Sequence, residues 1–254
     1  MPEILTADHS KESGHWYTQS GEPAYTIIGK NGVERATTLR DAKKENPHLV
    51  PGVTTILNCA AKPGLDNWKI DQAILAALTC PRIDDEPEAD YLLRIKLDAR
   101  EQAKKAAEKG TLIHAWVQQG FEHKPIPHEI LLFFSSAAKT LDDECGPTKW
   151  ICEKSFATDG YGGKVDLFFN DVIDIKTTEK DLTTIKTWDE HSLQLAAYRN
   201  GLGLYQARCG ILYIHVKTAE SKLIWIPEVE LQRGWRMFAC LKDYWYADKG
   251  LEAV

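Results

Sequence analysis

Asp174 and Lys176 stand two residues apart in the otherwise apolar run Val172-Ile173-Asp174-Ile175-Lys176. On a strand, that spacing puts the carboxylate and the ammonium on one face. Charges in such a strand are costly to desolvate unless each has a partner. A divalent metal is a suitable one. Mg²⁺ takes oxygen ligands, commonly one or two carboxylates, with water and substrate phosphate completing an octahedron. Such an ion activates water and stabilises charge on phosphoryl oxygens. Lys176 beside it would hold a phosphate oxygen or orient the attacking water. Asp166, on the preceding apolar stretch, is the second candidate ligand. The spacing fits hydrolysis of a phosphodiester. A hairpin with a structural Asp–Lys pair fits these residues equally well.

The two readings make different demands on the elements that carry the side chains. Residues 162–178 predict a glycine-rich turn, a strand, a tight connection and a second strand. A two-residue turn at Asn170-Asp171 would pair Asp166 with Ile175 and send the two aspartates to opposite faces. A three-residue connection or a bulge shifts the register and is expected to bring Asp166 opposite Lys176. Catalysis requires the second arrangement.

The rest of the chain supplies the scaffold. Strands are predicted at 150–158, 163–169, 172–178, 209–217 and 223–229. A helix is predicted over 193–204 and another over 233–248. Before residue 150 the periodicity predicts helices over 65–78, over 91–119 with an interruption at Gly110, and over 127–141. Lys30-Asn31-Gly32 marks a hairpin, and the acidic, proline-bearing 81–90 segment marks a solvated loop. The basic residues Arg94, Lys96, Arg100, Lys104, Lys105 and Lys109 form either a solvated helix face or one wall of a phosphate groove. Alternating strands and helices imply an α/β or mixed layered domain.

In their order and spacing these motifs resemble the PD-(D/E)XK nuclease superfamily, and within it the RecB-like exonuclease branch that includes phage and mitochondrial members. The matching elements are Gly163-Lys164-Val165-Asp166, Asp174-Ile175-Lys176 followed by Thr177, Gly110-Thr111-Leu112-Ile113-His114 upstream, and Gln194-Leu195-Ala196-Ala197-Tyr198 downstream. Pro51 to Leu57 is similar to a helix-entry segment of that branch. The resemblance spans residues 51 to 217, with the Pro-Asp of the superfamily name relaxed to Val165-Asp166. It implies a restriction-endonuclease-like core: a central mixed β-sheet flanked by helices, with a largely helical N-terminal extension. One nuclease domain over 1–254 is expected, its 1–149 part covering the site and its 150–254 part forming the sheet core.

The resemblance also assigns roles. Asp166 and Asp174 would bind Mg²⁺ or Mn²⁺, His114 would join the metal or position phosphate, and Lys176 would stabilise developing charge. Gln194 and Tyr198, four apart on one helix face, would contact substrate phosphate or organise Lys176 and Glu153. Glu153 either orients Lys176 or a metal-bound water, or is a surface glutamate beside Lys154. Trp188, in a polar segment, is the candidate aromatic on the substrate side, whereas most other tryptophans sit in core-like patterns. Single-stranded DNA or DNA ends are the implied substrate, with phage or host recombination proteins as partners. A catalytically silent nucleic-acid-binding module and a restriction-type endonuclease are the competing functions.

Composition narrows the field further. With 31 Lys plus Arg against 37 Asp plus Glu, the chain has a formal charge of -6, so any nucleic-acid groove must be a local basic patch. The six cysteines contain no Cys-x-x-Cys pair, which favours buried free thiols over disulfides or zinc. Only Cys209 and Cys240 follow Tyr198, so no iron–sulfur cluster is expected. No Walker A pattern is present, so no ATP site is expected either. The polar opening residues and the absence of a run of ~20 apolar residues predict a soluble, cytoplasmic protein without a membrane span.

Overall fold

The computed structural model describes residues 14–44 and 48–251. The polar opening at residues 1–13 lies outside them.

The N-terminal part begins with short elements: β1 (Trp16–Tyr17), β2 (Thr26–Ile28), β3 (Glu34–Ala36), α1 (Leu39–Ala42), β4 (Val50–Pro51) and α2 (Val53–Leu57). β2 and β3 form the expected hairpin, and Gly32 takes the left-handed backbone its turn needs (φ +74°). β1 pairs with β4, and Gly52 bridges to Gly162, which ties this segment to the main sheet. Gly162 faces the ring of Tyr17 so closely that a Cβ there would lie 2.6 Å from it.

Three helices follow: α3 (Pro63–Thr79), α4 (Glu88–Phe121) and α5 (Leu131–Cys145), the last entered through a 3-10 turn at His128–Ile130. Gly110 does not interrupt α4, contrary to expectation. The helix runs through it, and the missing side chain lets α4 approach Thr177. α4 also starts inside the segment read as a loop, at Glu88 behind Pro87, because proline suits a helix entrance. The helix expected over 65–78 forms, yet Ile70, Ile74, Leu75 and Leu78 on it are exposed. Helical spacing there reports the helix without reporting a core.

The central sheet has five strands in chain order: β5 (Ile151–Thr158), β6 (Tyr161–Phe168), β7 (Val172–Thr178), β8 (Cys209–His215) and β9 (Ser221–Ile226). All neighbours are antiparallel except β7 and β8, which are parallel and joined across α6 (Asp189–Gly201). The final helix is α7 (Glu228–Asp248). It begins five residues before the expected start, again directly behind a proline. The expected glycine-rich turn is also displaced. The turn is Asp159-Gly160, both left-handed, while Gly162 and Gly163 lie inside β6.

Two apolar cores lie against the sheet. One joins Val172, Ile211 and Tyr213 to Leu195, Ala196 and Phe238 from α6 and α7. The other joins Leu167, Ile173, Ile175 and Leu212 to Ile113 and Val117 of α4 and Leu141 of α5. Burying a large aliphatic side chain contributes roughly 1.5–3 kcal/mol, so these layers hold the strands against the helices. The result is a mixed α/β architecture: a central mixed sheet flanked by helices, with a largely helical N-terminal extension.

Cys80, Cys145, Cys152, Cys209 and Cys240 are free thiols. Only Cys209 is buried and Cys240 is exposed, so the expectation of generally buried thiols holds for one of them. Trp16, Trp150 and Trp245 are core residues, while Trp68 and Trp188 are exposed. Among the described residues no helix is long and apolar enough to cross a membrane.

Candidate active site

β6 and β7 form ladder pairs only at Leu167–Ile173 and Phe168–Val172. The connection is the three-residue segment 169–171, and continuing its register sets Asp166 level with Asp174. The expected alignment with Lys176 is thus corrected by one alternation, which leaves the shared face unchanged because that shift is two residues. Beyond Leu167 the ladder ends, and the Asp166 carboxylate enters the opening. Its Oδ2 accepts the Ile175 N–H at 2.7 Å and lies 3.0 Å from His114 Nε2.

His114 reaches this point because α4 crosses β7 one turn earlier, at Gly110. A Cβ on Gly110 would lie 2.7 Å from Thr177 Oγ1, so glycine sets the spacing of helix and strand. Ile113 and Val117, both buried, fix the helix rotation.

Glu153 joins from β5. It falls opposite Asp166 in the β5–β6 register, between the pairs Cys152–Leu167 and Lys154–Val165, and has left-handed backbone with φ +54°. Such a conformation in a non-glycine residue costs about 1 kcal/mol or more and persists only where the surroundings enforce it. The ligand atoms of His114, Glu153 and Asp166 all lie within 4.8 Å of one another. This His/Glu/Asp cluster could hold a metal ion. Lys164, two residues before Asp166 on β6, forms an ion pair with Glu153. The sequence reading gave Lys164 no role, although its i, i+2 spacing from Asp166 was the available signal.

Asp174 is buried, with 2% exposure. Its Oδ2 lies 2.8 Å from Lys176 Nζ and has no well-aligned hydrogen bond among the described residues. Lys176 Nζ also donates to Gln194 Oε1 at 3.3 Å, and Gln194 Nε2 donates to the Tyr198 hydroxyl at 2.9 Å. The Gln194–Tyr198 spacing on α6 therefore builds a chain of contacts that ends on the lysine. Leu195, Ala196 and Ala197, all buried, hold that helix against the sheet.

The charges are strongly coupled. Burial disfavours the Asp166 carboxylate, but the His114 hydrogen bond and the charges of His114 and Lys176 outweigh it and hold the group below its ordinary range. Asp174 goes the other way. Burial, reinforced by Asp166, pushes it up to about 6 against the pull of Lys176. Burial opposes the charge on Lys176 and on His114, yet the facing carboxylates raise both. Burial carries the Tyr198 hydroxyl well above its usual value, so it remains a neutral donor and acceptor.

Two cavities meet at Lys176 and Thr177. One, about 390 Å³, is bounded by Gly110, His114 and Ile175. The other, about 400 Å³, is bounded by Lys180, Lys186, Trp188, His191 and Tyr213. Trp188 is 61% exposed at the entrance to α6. It stands beside Lys176 in the second cavity rather than among the carboxylates.

No family model matches the chain. No curated protein matches it either. Among solved structures, one similar chain is described as a candidate exonuclease from Eubacterium rectale: 14% identity, TM-score 0.40, covering 56% of this chain and 68% of that one. Another is SSO0001: 19% identity, TM-score 0.26, covering 45% of this chain and 58% of that one. The site geometry therefore carries the functional reading.

Proposed function

We propose that this protein is a metal-dependent nuclease that hydrolyses phosphodiester bonds in DNA. The observation that carries the reading is the convergence of His114, Glu153 and Asp166 beside the buried Asp174–Lys176 pair.

The donor set fits a divalent cation. Two carboxylates and an imidazole offer mixed oxygen and nitrogen ligands, which suit Mn²⁺ and accommodate Mg²⁺ less readily than an all-oxygen set. The buried Asp174 Oδ2, with only an ammonium beside it, leaves further acceptor capacity. A cation bound there would supply Lewis-acid charge for attack of water on phosphorus.

The protein's own groups do the remainder. Burial opposes a charge on His114 while Asp166 favours it, and a metal held by this imidazole would take its neutral form. Lys176, kept protonated by Asp174 and Asp166, meets a phosphoryl oxygen and stabilises its charge. Gln194 and Tyr198 fix the direction of that ammonium. Catalytic roles thus fall to Asp166, Asp174, Lys176 and Glu153, and metal binding to His114, Asp166 and Asp174 with Glu153 added.

DNA ends or single strands are the proposed substrate. A binding module without catalysis is disfavoured, because unneutralised carboxylates aimed at phosphate repel it. End-labelled single-stranded, duplex and circular DNA, incubated with Mg²⁺, Mn²⁺ or EDTA, tests the reading. Cleavage dependent on metal and on free ends is expected. No cleavage with either metal rejects it, and cleavage of circles replaces the exonuclease by an endonuclease.

A further inference from the structure

The cavity beyond Lys176 differs in chemistry from the carboxylate cluster. Its lining contains no carboxylate: it is formed by Lys176, Lys180 and Lys186, several threonines, and Trp188, His191 and Tyr213. Lys180 Nζ lies 5.7 Å from the centre of the Trp188 ring, so a cation and an aromatic face open into one space.

The wall is built. The backbone N–H of Trp188 donates to His191 Nδ1 at 3.1 Å, which fixes the ring of a half-buried histidine. Tyr213 donates its hydroxyl to the Lys186 carbonyl at 3.2 Å and pins the segment between β7 and α6. Burial and the charge of Lys176 lower His191 to about 4, so at neutral pH it presents an uncharged imidazole. Because Nδ1 accepts, the imidazole proton sits on Nε2 as a donor.

Cations beside an exposed indole select a ligand that is both anionic and flat. A volume of about 400 Å³ lies at the lower end for small-molecule sites. A stacked base pair cannot offer one base to a side chain without leaving its stack. We propose that this cavity binds one unpaired deoxynucleotide next to the scissile phosphate, with its base against Trp188 and its phosphate on Lys180 and Lys186. The inference rests on the nuclease reading for its place in the reaction, though not for the binding itself. It makes single-strandedness a requirement of the pocket and predicts that a released mononucleotide competes with substrate.

The test uses the full chain in EDTA, so that no turnover intervenes. Binding of 2′-deoxyadenosine 5′-monophosphate, of 2′-deoxyadenosine and of inorganic phosphate is measured by calorimetry. The nucleotide should bind more tightly than either fragment. Trp188→Ala should weaken nucleotide binding about ten-fold or more, in line with stacking on an aromatic side chain, and Trp188→Phe should restore most of it. The Lys180→Ala, Lys186→Ala double variant should bind the nucleotide no better than the nucleoside. Equal nucleotide affinity in wild type and Trp188→Ala overturns the proposal, as does DNA cleavage by a protein that binds no mononucleotide. Nucleotide binding with this variant pattern in a protein that cleaves nothing upholds the pocket and rejects the nuclease reading alone.

Discussion

Gly110 of α4 and Thr177 of β7 lie so close that a Cβ on the glycine would stand 2.7 Å from the threonine Oγ1. This contact determines how far His114, one helical turn onward, reaches towards Asp166. Gly110→Val gains a little helix propensity but forces overpacking that costs about 1–3 kcal/mol. The expected result is a melting temperature lower by roughly 2–10 °C together with weaker Mn²⁺ binding. Adding Thr177→Ala should return part of both losses in a double-mutant cycle. Strictly additive effects would show that the contact does not position the helix.

Lys176 is the group whose loss should fall most heavily on turnover. Removing one well-placed stabilising donor from a hydrolytic site costs roughly 100- to 1000-fold in rate, and Lys176→Ala is expected to slow single-turnover cleavage at least ~100-fold. It also strands the buried Asp174 carboxylate, so the melting temperature should fall as well. The double variant Asp174→Asn, Lys176→Ala removes that charge and should regain stability without regaining cleavage. A Lys176→Ala protein that cleaves within a few-fold of wild type would strike the lysine from the catalytic list.

Metal affinity should follow the three converging side chains. His114→Ala, Glu153→Gln and Asp166→Asn are each expected to weaken Mn²⁺ binding at least ~10-fold, since even supporting residues of metal sites typically contribute 10- to 100-fold. Calorimetric titration of each variant checks this. Unchanged affinity in Glu153→Gln would remove Glu153 from the ligand set and leave its left-handed backbone without a functional explanation.

Acid stability should depend on Asp41, far from the carboxylate cluster in sequence. Its oxygens accept from Arg35 at 2.6 and 2.9 Å and from Thr38 N–H and Oγ1 at 3.0 and 2.6 Å. The Arg35 hydrogen bonds, with those from Thr38, hold its carboxyl far below the usual range despite burial. As pH falls below about 4, the unfolded chain takes up a proton there that the folded chain refuses, so acid favours unfolding. Asp41→Asn should therefore melt a few degrees below wild type at pH 7, with the gap closing as the pH drops through 4 towards 2. A gap independent of pH would show that the charge on Asp41 is not what stabilises the turn.

The sequence alone determined the five strands of the central sheet, most of the helices and the pairing of a carboxylate with an ammonium on β7, because these follow from period-2 and helical spacing over a few residues. It also marked Asp166, His114, Gln194 and Tyr198 through motif order. It misplaced one turn, although Asp159-Gly160 is a strong hairpin signal, because the following pair of glycines drew the prediction. What tertiary structure decided was which side chains meet. Glu153 enters the cluster through a left-handed residue in mid-strand, a conformation no local pattern announces. Asp166 lies level with Asp174 because the connection takes three residues and the ladder stops after two pairs. The exposed apolar residues of α3 show the same limit: periodicity names a face, whereas only the packing of distant elements decides what that face meets.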